Sequence, residues 1–305
     1  MRIASLLPSA TEILYSLGAG DEIVCVTHLC PQPEDNPKPV VSRSLFEGSS
    51  YTQEEIDTFL RMLGHQARGL LAIDEEKFAA CTPDVTFIQG SCELCGSGQQ
   101  ADEVVMASIP GSPRLLMLQP HSLGEVMADI RRIGQAAGRA PEAETLLSDL
   151  RQRMMRLMRR AGAATRKGRR RVVLLEWVDP PMVGGLWLPE LIDAAGGLPV
   201  LGAPQRPATQ TPWKDIVAAQ PEVLLIVPTG FSLARAAEEA NLLTQRSEWE
   251  TLPAVRSGEV YALDGERFFH GPTPALIDSL ELLASVLHPQ EFGEPEQADA
   301  VLRLG

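Results

Sequence analysis

The chain has 305 residues, 44% of them hydrophobic and 22% charged, with a formal net charge of −13. That is the composition of an ordinary globular protein, long enough for two lobes that each bury a core. The acidic balance argues against general nucleic-acid affinity, and no apolar run approaches membrane-spanning length, so neither nucleic acid nor membrane insertion is expected.

The N-terminus, "MRIASLLPSATEIL", has its apolar run broken by Pro8 and Ser9, with no small-residue cleavage site or lipidated cysteine after it. With Met1 as the native start the expected location is cytoplasmic; for a trimmed chain it is periplasmic. The stretch "RIASLLPSATEILYSLGAGDEIVCV" reads as strand, turn, helix, glycine stop and strand. Thr52 and Glu55 then form a capping box ahead of Ile56, Phe59, Leu60 and Leu63 at helical spacing. "AACTPDVTFIQG" is a helix end, a Pro-acid turn and a strand, and "SPRLLMLQPHSLGEVMADIRRIGQAAG" is a strand leading into an amphipathic helix. In that helix Ser122 and Glu125 make a second capping box, with Val126, Ile130 and Ile133 behind it. Residues 141–162 place Leu146, Leu147, Leu150, Met154, Leu157 and Met158 on one stripe, a packing face.

The second half repeats the first. "RRVVLLEWVDPPMVGGLWLPELIDAAGGLPVL" has the same strand–helix–glycine order, "AAQPEVLLIVPTG" echoes "AACTPDVTFIQG", and "SGEVYALDGERFFHGPTPALIDSLELLASVL" again runs strand, loop, helix. Strands alternating with helices give parallel sheets covered on both faces. The expected fold is therefore α/β: two Rossmann-like lobes, residues 1–120 and 169–305, each with a mainly parallel sheet. One long connecting helix over 121–168 joins them, with a ligand cleft between the lobes. From Arg151 to Arg171 there are ten Lys/Arg and no Asp/Glu, which reads as a solvated helix face running into a basic loop, or as an anion- or partner-docking patch.

In parallel α/β units ligands gather beyond the carboxyl ends of strands. In the first lobe that rule selects Pro8, Ser9, Thr11, His28 and Gln89; in the second it selects Trp177, Trp187, Phe231, Phe269 and His270. Rim aromatics suit a large, flat, partly apolar ligand, and they equally suit the cap of a core. Five cysteines is an odd number; Cys25 and Cys81 sit beside apolar runs and read as buried. His28, Cys30, Cys92 and Cys95 are the right residue types for a metal ion, with a labile Cys92–Cys95 disulfide as the competing account. Ser9 reads either as an N-cap or as a nucleophile with His28 as base, and Glu176 and Asp179 beside Trp177 are of the type that does acid–base work. No G-x-S-x-G elbow or Walker loop is present, so no enzyme is expected.

Taken in order, "RIASLLPSATEILYSLGAGDEIVCVTHLC", "PDVTFIQ", "LEWVDPPMVGG", "LPELIDAAGG" and "FFHGPTPALIDSLELLA" resemble the helical-backbone class of ABC-transporter substrate-binding proteins over essentially the whole chain. Among its cobalamin, haem and siderophore branches the chain is most similar to the cobalamin-binding one, where H-x-C-x-x-P and C-E-x-C are characteristic; Gln32 stands where that branch has an aromatic. The resemblance implies a corrinoid (cobalamin-like) or related metallated tetrapyrrole packed against Trp177, Trp187, Phe231 and Phe269. Its amides would bond to Ser9, Thr11 and Gln89, with the helix N-terminus after Pro8 supplying N–H donors. His28, or a cysteine of the Cys30, Cys92 and Cys95 set, would approach the central metal. A haem, siderophore or transition-metal ligand, and an enzyme acting on a cobalamin precursor, are the alternatives. The class docks on an ABC permease through one exposed glutamate per lobe, for which Glu93 or Glu103 and Glu238 or Glu239 are the candidates; its transport members also carry a signal peptide or lipobox, and without one the expected role is that of a cytosolic carrier, scavenger or sensor rather than a transporter subunit.

Overall fold

The computed structural model describes residues 1–44, 51–53, 55–56, 58–59, 62, 71–89 and 113–304. The chain divides into two compact units, Met1–Pro120 with Val126–Leu147, and His121–Glu125 with Ser148–Gly305.

The first unit opens with β1 (Ile3–Ser5), α1 (Pro8–Ser16) and β2 (Ile23–Val26). Pro8 starts α1 because its fixed φ suits the first helical turn and its missing N–H would have been an orphan there. The helix buries Ile13 and Leu14. It ends in a Schellman motif: Gly18 adopts φ +69, its N–H reaches Tyr15 O at 3.0 Å, and Ala19 N–H reaches Leu14 O at 2.9 Å. The strands β3 (Ser42–Ser44) and β4 (Leu71–Ile73) form a separate antiparallel pair. After α2 (Glu75–Ala80) come β5 (Val85–Gln89) and β6 (Arg114–Leu118), which complete a parallel sheet in the order β2-β1-β5-β6. Cys25 and Cys81 are buried in one apolar cluster with Ala4, Val41, Phe78 and Ile88, as expected of small hydrophobes.

The Thr52–Glu55 capping box is closed in both directions: Thr52 N–H donates to Glu55 Oε2 at 2.8 Å and Glu55 N–H to Thr52 Oγ1 at 3.3 Å. Leu60 and Leu63 of that predicted helix lie outside the described residues. At Ser122 the box is displaced by one residue. Glu125 N–H donates to Ser122 Oγ, but the Glu125 carboxylate reaches back to the N–H of His121. The span expected as one connecting helix holds two, α3 (Leu123–Ala136) and α4 (Ala140–Ala164), because Gly138 at φ +69 breaks it; the division between the units falls inside α4.

The second unit repeats the topology of the first. Its strands are β7 (Arg171–Trp177), β8 (Met182–Val183), β9 (Leu198–Pro199), β10 (Thr209–Gln210), β11 (Val223–Ile226), β12 (Val260–Leu263) and β13 (Val301–Arg303). Parallel pairing runs β9-β7-β11-β12, the same 2-1-3-4 order as in the first unit. The antiparallel strands β8, β10 and β13 are added at the edges, which the repeat did not foretell. Val172 to Leu175 are all buried, as befits a strand covered on both faces. The equivalent of α1 is α5 (Leu188–Ala194), closed by the same motif: Gly196 at φ +86 donates to Asp193 O and Gly197 to Ile192 O. The helices α6 (Trp213–Ala218), α7 (Leu233–Thr244), α8 (Pro253–Arg256) and α9 (Leu276–Leu287) complete the layers.

Four of the ten basic residues of the run are paired with acids inside this unit. Arg153 pairs with Asp278 and Glu281, Arg169 with Asp193, Arg170 with Glu259 and Arg171 with Glu222. Single exposed pairs stabilise little, and Arg151, Arg156, Arg159 and Arg166 lie on the exposed surface, as expected of a solvated helix face. Among the described residues no helix is long and apolar enough to cross a membrane.

Candidate ligand-binding site

In the first unit, Pro8 and Ser9 are the first two residues of α1, so Ser9 is not its N-cap; Leu7 holds that position and offers no side-chain cap. Thr11 is fully buried, and its hydroxyl donates to Leu7 O at 3.2 Å or shares a proton with Ser5 Oγ at 2.7 Å. It therefore ties helix to strand and has no face to offer a ligand. Gln89 closes β5 at its carboxyl end, half-buried, opposite Leu118.

His28 is half-buried beyond β2. Its backbone N–H donates to Ser42 Oγ at 3.0 Å, and the same oxygen lies 2.7 Å from its Nδ1. That double contact fixes the ring and leaves Nε2 as the nitrogen a metal would take. Burial pushes the imidazole pKa down, which keeps it neutral and able to ligate. Cys30 is buried, with Sγ 3.1 Å from Thr27 Oγ1 and 3.5 Å from Ser5 O, so it would have to leave these partners to reach a metal. Cys92 and Cys95 lie outside the described residues, as do Glu93 and Glu103. Among the described residues no three His, Cys, Asp or Glu side chains converge as a metal site.

In the second unit the four aromatics expected on a rim are packed inward instead. Trp177 is 9% exposed, Trp187 and Phe231 5% each, and Phe269 1%. Trp187 Nε1 donates to Phe269 O at 2.6 Å, and Phe269, at φ +75, donates its own N–H to Ser279 Oγ. Trp177 tilts against Phe231 at 5.5 Å, and the Arg235 guanidinium lies 3.7 Å over the Phe231 ring. These large apolar rings cap the core.

Glu176 and His270 meet beneath that cap. Glu176 accepts from Gly185 N–H and from the Thr229 hydroxyl, both at 3.3 Å, which makes it a structural acceptor. The His270 ring donates Nε2–H to Val227 O at 2.9 Å, while Nδ1 lies 3.7 Å from Glu176 Oε1. Burial lowers the His270 pKa more than the nearby carboxylate raises it, and burial likewise lowers that of His288. In the unfolded chain these rings take a proton first, near the ordinary value of about 6.5. Stability is therefore expected to be intact above that value and to decline as pH falls through it towards the lower folded-state pKa values. Urea unfolding across this range would measure the slope, and His270→Gln, which keeps an N–H for Val227 O, is expected to flatten it.

A concave surface of this unit lies elsewhere among the described residues, in a pocket of about 490 Å³ lined by the Asp179–Pro181 turn, the Gln210–Trp213 segment and Arg246. Because β8 runs antiparallel to β7, and β10 antiparallel to β8, the carboxyl ends of β7 and β10 lie on one edge of the sheet. Asp179 follows the first and Thr211 the second, so the pocket obeys the strand-end rule. The Trp213 ring is half-buried, stacked on Trp249 at 6.2 Å and 26°, with Nε1 donating to Ser247 O at 2.7 Å. Three prolines extend this flat wall. Arg246 pairs with Asp179 Oδ1 at 2.8 Å, and its Cζ lies 5.8 Å from the Trp213 ring centre. Its Nε is buried with no hydrogen-bond partner among the described residues. Sequence reasoning missed Trp213, Gln210 and Arg246 because β10 is a two-residue edge strand; the aromatic in "TPW" was the available signal.

Two parallel α/β units of identical strand order, one with a pocket of small-molecule size at its strand ends, are the architecture of a two-unit, periplasmic-binding-protein-like fold. The chain belongs to the periplasmic binding protein family, whose model matches residues 3–266. It is 25% identical over 301 residues to an ABC transporter substrate-binding lipoprotein of Bacillus subtilis, YvrC, covering 96% of this chain and 82% of that one. It is 23% identical over 280 residues to the vitamin B12-binding protein of Vibrio parahaemolyticus, covering 92% and 86% of the two chains. A periplasmic heme-binding protein from Pseudomonas aeruginosa shares the fold, with a TM-score of 0.71, 18% identity, and 100% and 99% coverage.

Proposed function

We propose that this protein binds a corrinoid, or a closely related metallated tetrapyrrole, without transforming it. The carrying observation is the pocket: a flat wall of Trp213 and prolines with one polar corner, at the carboxyl edge of the sheet. An aromatic face held rigid from behind is suited to the edge or face of a macrocycle. The kinship with a vitamin B12-binding protein supports the corrinoid, and the shared fold of a heme-binding protein supports haem as the alternative. Siderophores and free transition metals are further alternatives.

The lipoprotein relative supports delivery of the ligand to an ABC permease. In that setting Glu238, which is exposed, is the second-unit residue for docking; Glu239 is half-buried against Arg235 at 3.7 Å. Titration with cyanocobalamin, dicyanocobinamide and haemin, followed by visible spectroscopy and co-elution, tests the reading. A corrinoid is expected to bind at micromolar concentration or below with a shifted spectrum. No binding of any of the three at tens of micromolar refutes the reading.

A further inference from the structure

The polar corner of the pocket carries information about the periphery of the ligand. Its wall contains one cation, Arg246, and one anion, Asp179, and they are paired at 2.8 Å. The guanidinium also faces the Trp213 ring. Its positive charge is thus already used, and the formal charge of the wall is zero. Behind Asp179 stand Glu239 and Glu238, offset by Arg235, so the surrounding field is acidic. Burial raises the pKa of Glu239, as it does for a carboxylate with little water around it.

A carboxylate entering this corner would lose water and find Asp179 already on the guanidinium. A carboxamide suffers no such repulsion. Its carbonyl oxygen needs one N–H, and the Arg246 guanidinium, with five N–H donors, can give one without releasing Asp179.

Resting on the binding reading above, we propose that this pocket selects macrocycles whose periphery carries neutral carboxamides over those carrying carboxylates. Asp179, by holding Arg246, is the residue that sets the choice. This favours an amide-decorated corrinoid over a propionate-bearing haem.

The test uses dicyanocobyrinic acid, with its carboxylates free, and the corresponding heptaamide, the same metallocycle without the charge. The full-length protein is expected to bind the heptaamide at least tenfold more tightly, with the gap narrowing as salt rises. Asp179→Asn should reduce the amide-to-carboxylate ratio at least fivefold, since Arg246 is then free to meet a carboxylate. Arg246→Gln should move the ratio the other way, because Asp179 is left as an unpaired anion. A loss of packing would weaken both ligands together and leave the ratio unchanged in both variants, which overturns the proposal, as does a wild-type protein that binds the two equally. Failure to bind any macrocycle instead overturns the binding reading, and this inference with it. Thermal melts of both variants confirm that the ratios are measured on folded protein.

Discussion

Gly185→Ala is expected to lower the unfolding free energy by about 3 kcal/mol, the upper range for overpacking a site that cannot yield. A methyl at this position would meet Arg206 O, and would come within 2.5 Å of the Pro207 carbonyl carbon and 2.6 Å of Ala208 N. All three are backbone atoms, so no rotamer change relieves the contact. The two segments are also hydrogen-bonded to each other: Leu186 N–H donates to Arg206 O at 2.6 Å and Gln205 N–H to Leu186 O at 3.0 Å. Pushing them apart breaks these bonds as well. The loop that moves runs directly into Thr209–Gln210 and on to Trp213, so the variant should lose ligand affinity along with stability. Gly124→Ala is the control, because its added methyl meets only the Ser122 hydroxyl oxygen at 3.8 Å. Chemical denaturation of the two variants side by side is the measurement. Equal stabilities would show that the contact between residues 185 and 206–208 relaxes freely.

The same glycine shows what the sequence makes legible. "MVGGLW" is visible as a motif, but the motif does not say that a second chain segment lies against it. Local rules did well wherever the cause is local. Gly18 and Gly196 end equivalent helices in both halves because only a residue without a Cβ takes the left-handed conformation cheaply. The alternation of apolar strands and amphipathic helices was enough to recover two α/β units with parallel sheets, while their 2-1-3-4 strand order came from the structure.

What local rules lost were the short edge strands. Two residues, such as Thr209 and Gln210, carry no periodicity, and their pairing with β8 is a matter of tertiary contact. With β10 unseen, the strand-end rule was applied to Trp177, Phe231 and Phe269, whose size and apolarity draw them into the core. The basic run hid its acidic partners for a related reason. Its partners Asp193, Glu222, Glu259, Asp278 and Glu281 are all more than twenty residues away along the chain.

Trp213 therefore carries the heaviest functional expectation. Trp213→Ala should weaken macrocycle binding by at least thirtyfold, about 2 kcal/mol, the loss typical of a rigid aromatic anchor. The rigidity has two sources: the stack on Trp249 behind the ring, and the Nε1–H bond to Ser247 O. Because both are made before any ligand arrives, little side-chain entropy remains to be lost on binding. Trp213→Phe separates the contributions. It keeps an apolar face in the pocket but gives up the bond to Ser247, so it should retain binding within about fivefold while melting at a lower temperature. The truncation also removes packing from the cluster around Ile216, Trp249 and Leu252, so affinity must be measured well below its melting temperature. If Trp213→Ala stays folded and binds as tightly as the parent, the ligand lies elsewhere, and the pocket between Asp179 and Arg246 is not its seat.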